Sequence, residues 1–118
     1  MNKLDLTEAM EALTKFRTER DWSKFHTPKN LSVSIAIEAA ELMEHFQWRT
    51  DEEAKEYLAT DKFVEVREEI ADIASYLLLI TKDLGIDLNE AILQKVIKNE
   101  QKYPVNLCKG KNNKYNDL

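Results

Sequence analysis

Four residues punctuate this 118-residue chain: Gly85, Gly110, Pro28 and Pro104 are its only glycines and prolines. Average usage of about 7% Gly and 5% Pro would give roughly fourteen. Sandwiches, barrels and doubly wound sheets need many tight turns, and tight turns lean on these two residues. The scarcity therefore predicts an all-α fold. It also excludes glycine-rich phosphate loops, since neither G-x-x-x-x-G-K-[ST] nor G-x-G-x-x-G can be assembled from two glycines 25 positions apart. Any phosphate handled by this chain has to be held by side chains or metal ions.

The length predicts a single domain over residues 1–118, with residues 105–118, rich in Lys and Asn, as a C-terminal tail. A net charge of -5 argues against a nucleic acid backbone or an anionic membrane as partner. The lone Cys108 cannot form an internal disulfide, and acids in the opening Met1–Glu8 segment do not suit a signal peptide, so the expectation is cytoplasmic.

Periodicity and capping signals give four to five helices. Leu6, Met10, Leu13 and Phe16 predict a helix over about 6–20, with Asp5 as its cap. Thr27-Pro28 opens a second to about Phe46, and Thr50-Asp-Glu-Glu53 is a capping box for a third to about Leu58. Asp61 is expected to cap a long fourth, closed by Gly85. Asp87 opens a fifth, which Pro104 stops.

The second and fourth helices carry a chemical anomaly. From Leu31 to Met43 the only charges are Glu38 and Glu41, and from Ile70 to Thr81 the only one is Asp72, with Glu69 just before it. Such apolar runs mark buried helices, and residues three apart share a helix face. If the helices pack together, four carboxylates converge where ionised groups are costly. A divalent metal resolves the conflict. All-oxygen ligands suit Mg²⁺, with Mn²⁺ possible, rather than zinc, and the absence of Glu-x-x-His argues against a di-iron bundle. Magnesium in such sites commonly binds substrate phosphates. Ion pairs from Lys62, Arg67 or Lys95 are the bland alternative, which would make the chain a noncatalytic helical module.

Glu38-x-x-Glu41, 27 intervening residues and Glu69-x-x-Asp72 resemble the signature of the MazG-like all-α nucleoside triphosphate pyrophosphohydrolases. Phe16-Arg-x-Glu-Arg-Asp-Trp22, Phe25-His-x-Pro-x-Asn30, Phe46-Gln-Trp48, Tyr76, Lys102-Tyr-Pro104 and Lys114-Tyr115 are similar to the dCTP pyrophosphatase branch. The resemblance implies metal-dependent cleavage between the α and β phosphates of a nucleoside triphosphate, dCTP-like or modified, with dUTP or phosphoribosyl-ATP as alternatives. It also implies Glu38, Glu41, Glu69 and Asp72 as metal ligands and catalytic residues, and Trp22, Trp48 and Tyr76 as a base pocket. Asn30 belongs to the same substrate-side motif, and His26 either meets substrate or caps the second helix. Lys95, Asn99 and Lys102 form one polar stripe, of which the first two would touch phosphates. Leu13 stands where these relatives carry a histidine, which removes a base contact. The resemblance further implies a homodimer or homotetramer, and the uniformly apolar fourth helix asks for a covering subunit.

Overall fold

Among the described residues, 4–112, the computed structural model contains six helices and no strand. They are α1 (Thr7–Glu19), α2 (Pro28–Glu44), α3 (Asp51–Leu58), α4 (Phe63–Asp83), α5 (Leu88–Lys102) and α6 (Val105–Cys108). Two compact units divide the chain, Met1–Leu84 with α1 to α4 and Gly85–Leu118 with α5 and α6.

Helix boundaries follow the local chemistry. Thr27 Oγ1 accepts the Asn30 amide at 3.1 Å and Pro28 fills the first helical position, so α2 starts where a missing N–H costs nothing. Thr50 and Glu53 exchange bonds at 3.1 and 3.0 Å, the complete capping box. Gly85 follows Leu84, the C-cap of α4, with φ +67°, a left-handed conformation that a side chain would strain. Asp87 accepts the Glu90 amide at 3.1 Å to cap α5.

Three expectations change. Asp61 does not cap α4: the N-cap is Lys62, whose amide donates to Thr60 Oγ1 at 3.2 Å, because a preceding turn over Thr60–Lys62 already supplies the acceptor. Asp5 accepts the Thr7 amide at 3.0 Å, but the N-cap position is Leu6. The segment expected to be tail begins with α6. Pro104 ends α5, and its carbonyl then accepts the Leu107 and Cys108 amides at 3.0 Å, so one residue both stops a helix and seeds the next turn. Lys114 and Tyr115 lie outside the described residues.

In the first unit, α2 and α1 both pack on α4. Leu31, Val66, Leu78 and Leu79 form its buried centre. The apolar helices are not buried all round. Phe63, Ile70, Leu77 and Leu84 recur every seven residues along α4 at 39–53% exposure, because α1 and α2 cover only part of its circumference. Arg17 fastens α1 to the end of α4. Its guanidinium is 7% exposed and donates to both oxygens of Asp83 at 2.8 Å. Lys82 adds a bond to Thr14 Oγ1 at 2.9 Å.

The bidentate bond from Arg17 holds the Asp83 carboxyl below its ordinary value, against the opposing effect of burial. Stability from the pair is thus present above the unfolded carboxyl value and is lost as pH falls through the folded one. Asp83→Asn leaves a nine-tenths-buried cation without its anion. We expect a loss of about 2 kcal/mol in urea unfolding at pH 7, below the fully buried range because Asp83 is partly wetted, and a difference from wild type that shrinks below pH 4.

Candidate metal centre and the adjoining cavity

Glu38 and Glu41 lie one turn apart on α2, and Glu69 projects from α4 where that helix packs against α2. Their carboxylates each offer one oxygen to a group whose members all lie within 4.8 Å of one another. Glu38 is half-buried, and its Oε2 is shut from water with no hydrogen-bond partner. Within residues 4–84 no Lys or Arg lies in ion-pair range of these carboxylates: Lys62 pairs with Glu65, and Arg17 with Asp83. Within the same residues the cation-capable partner in range is His45, whose Nε2 is 2.5 Å from Glu69 Oε2.

Electrostatics follow directly. Burial, then the neighbouring Glu41 carboxyl and the charges of Asp72 and Glu69, push the Glu38 carboxyl up to about 7. A group of acids with Glu38 and Glu69 half-buried and Glu41 exposed, all oxygen in donor type, with one carboxylate oxygen unpartnered, fits a hard divalent cation.

Asp72 stands outside that close group. It follows Glu69 by one turn, its shorter side chain is exposed, and it lines a neighbouring cavity of about 250 Å³. Its charge still reaches Glu38. The cavity walls come from α1, the loop after it and α4, with Phe16, Trp22, His26 and Tyr76 as its rings. These rings meet edge-on in series: Phe16 and Trp22 at 5.6 Å, Trp22 and His26 at 6.3 Å, His26 and Tyr76 at 6.4 Å. Arg17 and His26 each keep one buried nitrogen, Nε and Nδ1, without a partner. Burial first, then the Arg17 charge, hold the His26 imidazole below its ordinary value, against the pull of Asp83. His26 is therefore neutral at pH 7, and Thr27 rather than His26 caps α2.

The remaining candidates separate. Asn30 is exposed and its side-chain amide donates to the Phe25 carbonyl at 2.9 Å, tying the aromatic loop to the start of α2. Trp48 is 90% exposed, sits at φ +69° and does not line the cavity. Trp22 precedes α2 and Trp48 follows it, at opposite ends of a 17-residue helix about 25 Å long. Lys95, Asn99 and Lys102 fall on α5 in the second unit, the lysines exposed and Asn99 half-buried.

A second cavity, of about 360 Å³, opens beside the acidic group and is lined by Glu41, Glu44, His45, Arg49, Tyr57 and Glu69. His45, Arg49 and Tyr57 were not among the residues the sequence singles out. The available signal was His45 at four residues beyond Glu41, on the same face of α2. Arg17, Ser75 and Leu79 on the other cavity were also missed as lining residues, while Leu13, singled out in the sequence, does line it.

Residues 33–118 match the MazG-like family. The chain belongs to that family. Over 105 residues, 88% of its length, this MazG-like chain is 39% identical to dCTP pyrophosphatase 1 of Bos taurus and 35% identical to that of Homo sapiens. It spans 62% of the length of each of these relatives. Among solved structures, a pyrophosphatase from Archaeoglobus fulgidus superposes with a TM-score of 0.79 at 48% identity, covering 88% of this chain and 96% of the archaeal one.

The raised Glu38 value carries a stability consequence. Below the unfolded value of 4.5 the group costs nothing, and stability falls as pH rises through about 7, because ionisation then adds charge to a crowded acidic group. In EDTA the melting temperature should fall between pH 5 and pH 8. Glu38→Gln should flatten that fall and melt about 2–5 °C above wild type at pH 8, the shift that roughly 1 kcal/mol produces in a domain of this size.

Proposed function

We propose that this MazG-like chain is a nucleoside triphosphate pyrophosphohydrolase. Water attacks the α phosphorus, the bond to the bridging oxygen breaks, and a nucleoside monophosphate and pyrophosphate leave. The observation that carries the reading is the partly buried carboxylate group with no Lys or Arg of residues 4–84 in ion-pair range, beside an aromatic cavity that shares Asp72. A helical module held by ion pairs would put lysines or arginines on these acids, and residues 4–84 do not.

Glu38, Glu41 and Glu69, with Asp72 on the cavity side, would hold Mg²⁺ or Mn²⁺. When bound, such a cation neutralises phosphate charge and acidifies a coordinated water. The proton of the attacking water goes to a carboxylate of the group, and Glu38, whose carboxyl is pushed up to about 7, is the best suited to take it. The cavity beside Asp72 seats the base. Its volume of about 250 Å³ falls below the roughly 300–1,000 Å³ of pockets for whole drug-sized ligands, so it suits one ring rather than a nucleotide. The dCTP pyrophosphatase relatives support a dCTP-like or modified deoxynucleotide as substrate. The exposed seven-residue stripe on α4 supports a homo-oligomer, which light scattering would reveal.

The test is pyrophosphate release from canonical and 5-substituted deoxynucleoside triphosphates. We expect turnover with Mg²⁺, loss in EDTA and recovery on adding the metal back. Glu38→Gln should lower kcat by about 100-fold or more, the usual yield of a positioned proton acceptor. Trp22→Ala should raise KM with little change in kcat, since it removes base contact and leaves the phosphates alone. No release from any substrate in the panel would overturn the proposal.

A further inference from the structure

Glu69 differs from the other acids of the centre in being tethered. Its Oε2 is 2.5 Å from His45 Nε2, and the other ring nitrogen, Nδ1, is 2.6 Å from the Tyr57 hydroxyl. The His45 and Glu69 side chains are 16% and 18% exposed, so these bonds are shielded from competing water. Tyr57 is itself fixed. The Arg49 guanidinium lies 4.0 Å over its ring, and Phe46 meets it edge-on at 6.4 Å. Arg49 Nη1 also donates to the His45 carbonyl at 2.5 Å, and the Thr50–Glu53 capping box sets the start of the helix that carries Tyr57. Three elements, α2, α3 and α4, thus converge on one carboxylate.

A carboxylate with one oxygen committed to a neighbour cannot rotate freely about its last bond. Holding it costs entropy at folding rather than when a cation arrives. Residues one step behind a metal ligand raise affinity in this way, and their removal typically costs about 10–100-fold. A tether meant only for stability would not need to end on one of the three acids that form the cation-sized group.

We propose that His45 and Tyr57 are positioning residues for the cation centre. The Tyr57 hydroxyl donates to His45 Nδ1, the His45 Nε2–H donates to Glu69, and the relay holds Glu69 in its ligating orientation. The inference rests on the divalent-cation reading of the acidic group.

Mn²⁺ binding to the full chain, followed by calorimetry and by the electron paramagnetic resonance of the free ion, tests it without turnover. His45→Leu should weaken Mn²⁺ binding by about 10–100-fold while helical circular dichroism in EDTA stays at the wild-type level. His45→Gln, which keeps an N–H donor, should recover most of the affinity, and Tyr57→Phe should lose less than His45→Leu. A folded His45→Leu that binds Mn²⁺ as wild type does overturns the relay. If His45→Leu fails to fold, Tyr57→Phe decides, and an unchanged affinity there overturns the proposal. A wild-type chain that binds no Mn²⁺ overturns the cation reading itself and the relay with it, a result distinct from equal binding by wild type and variant.

Discussion

The structure turns on a conflict between two helices. α2 and α4 have to bury apolar faces against each other, yet Glu38, Glu41 and Glu69 meet at that contact with no Lys or Arg of residues 4–84 in ion-pair range. Ionised acids at a helix–helix contact repel one another and lose hydration, and both effects favour protons or cations over bare charge. Glu38 registers this directly, with its carboxyl pushed up to about 7. In a protein whose net stability is only about 5–15 kcal/mol, such an arrangement persists where it does something besides folding.

The rest of the first unit is arranged around that contact. On one side, the turn after α2 brings His45 against Glu69, and the short α3 brings Tyr57 against His45. On the other, the Arg17–Asp83 pair pins α1 along α4, and the aromatic loop that follows α1 is folded back. Asp21 takes a left-handed conformation at φ +53°, and Asn30 fastens the Phe25 carbonyl. Trp22, His26 and Tyr76 are thereby stacked edge-on around one cavity whose wall includes Asp72. Acids and rings therefore share a boundary at α4, where Glu69 belongs to one site and Asp72, a turn later, to the other.

How much of this was legible in the sequence depends on the range of the interaction. Thr27-Pro28, Thr50-x-x-Glu53 and Gly85 act within a turn of their own position, so they mark the same boundaries in sequence and structure. Asp61 obeyed the same local rule and still failed as a cap, because Thr60 one residue earlier supplied the acceptor. The acidic group was legible because charges stand out in apolar runs, although the shorter Asp72 side chain lies outside the closest three. Arg17 was not legible: its partner is 66 positions away, and an arginine on a charged surface helix looks like any other. His45 had a neighbour at helical spacing in Glu41, but its actual partners, Tyr57 and Glu69, lie on two other helices. Trp48 matched a motif whose meaning depends on which residues face it, and the sequence already put the second helix between it and Trp22.

The two halves of the site also differ in where they are encoded. The acids and the His45–Tyr57 tether all fall inside residues 33–118, the stretch shared with the MazG-like family at large. The cavity does not. Leu13, Phe16, Arg17, Trp22 and His26 precede residue 33, and only its α4 wall lies within the shared stretch. On the proposed reading, chemistry at the phosphates needs the same carboxylate geometry whatever the base, whereas base choice would rest on rings and hydrogen-bonding edges that a helix and a loop can vary without disturbing the acids. Arg17 shows how the halves remain coupled. It lines the cavity through one part of its side chain and, through its bond to Asp83, sets the position of α1 on the helix that carries Glu69 and Asp72. A substitution at Arg17 would therefore disturb the scaffold, while one at Leu13, which has no such bond, would leave it in place.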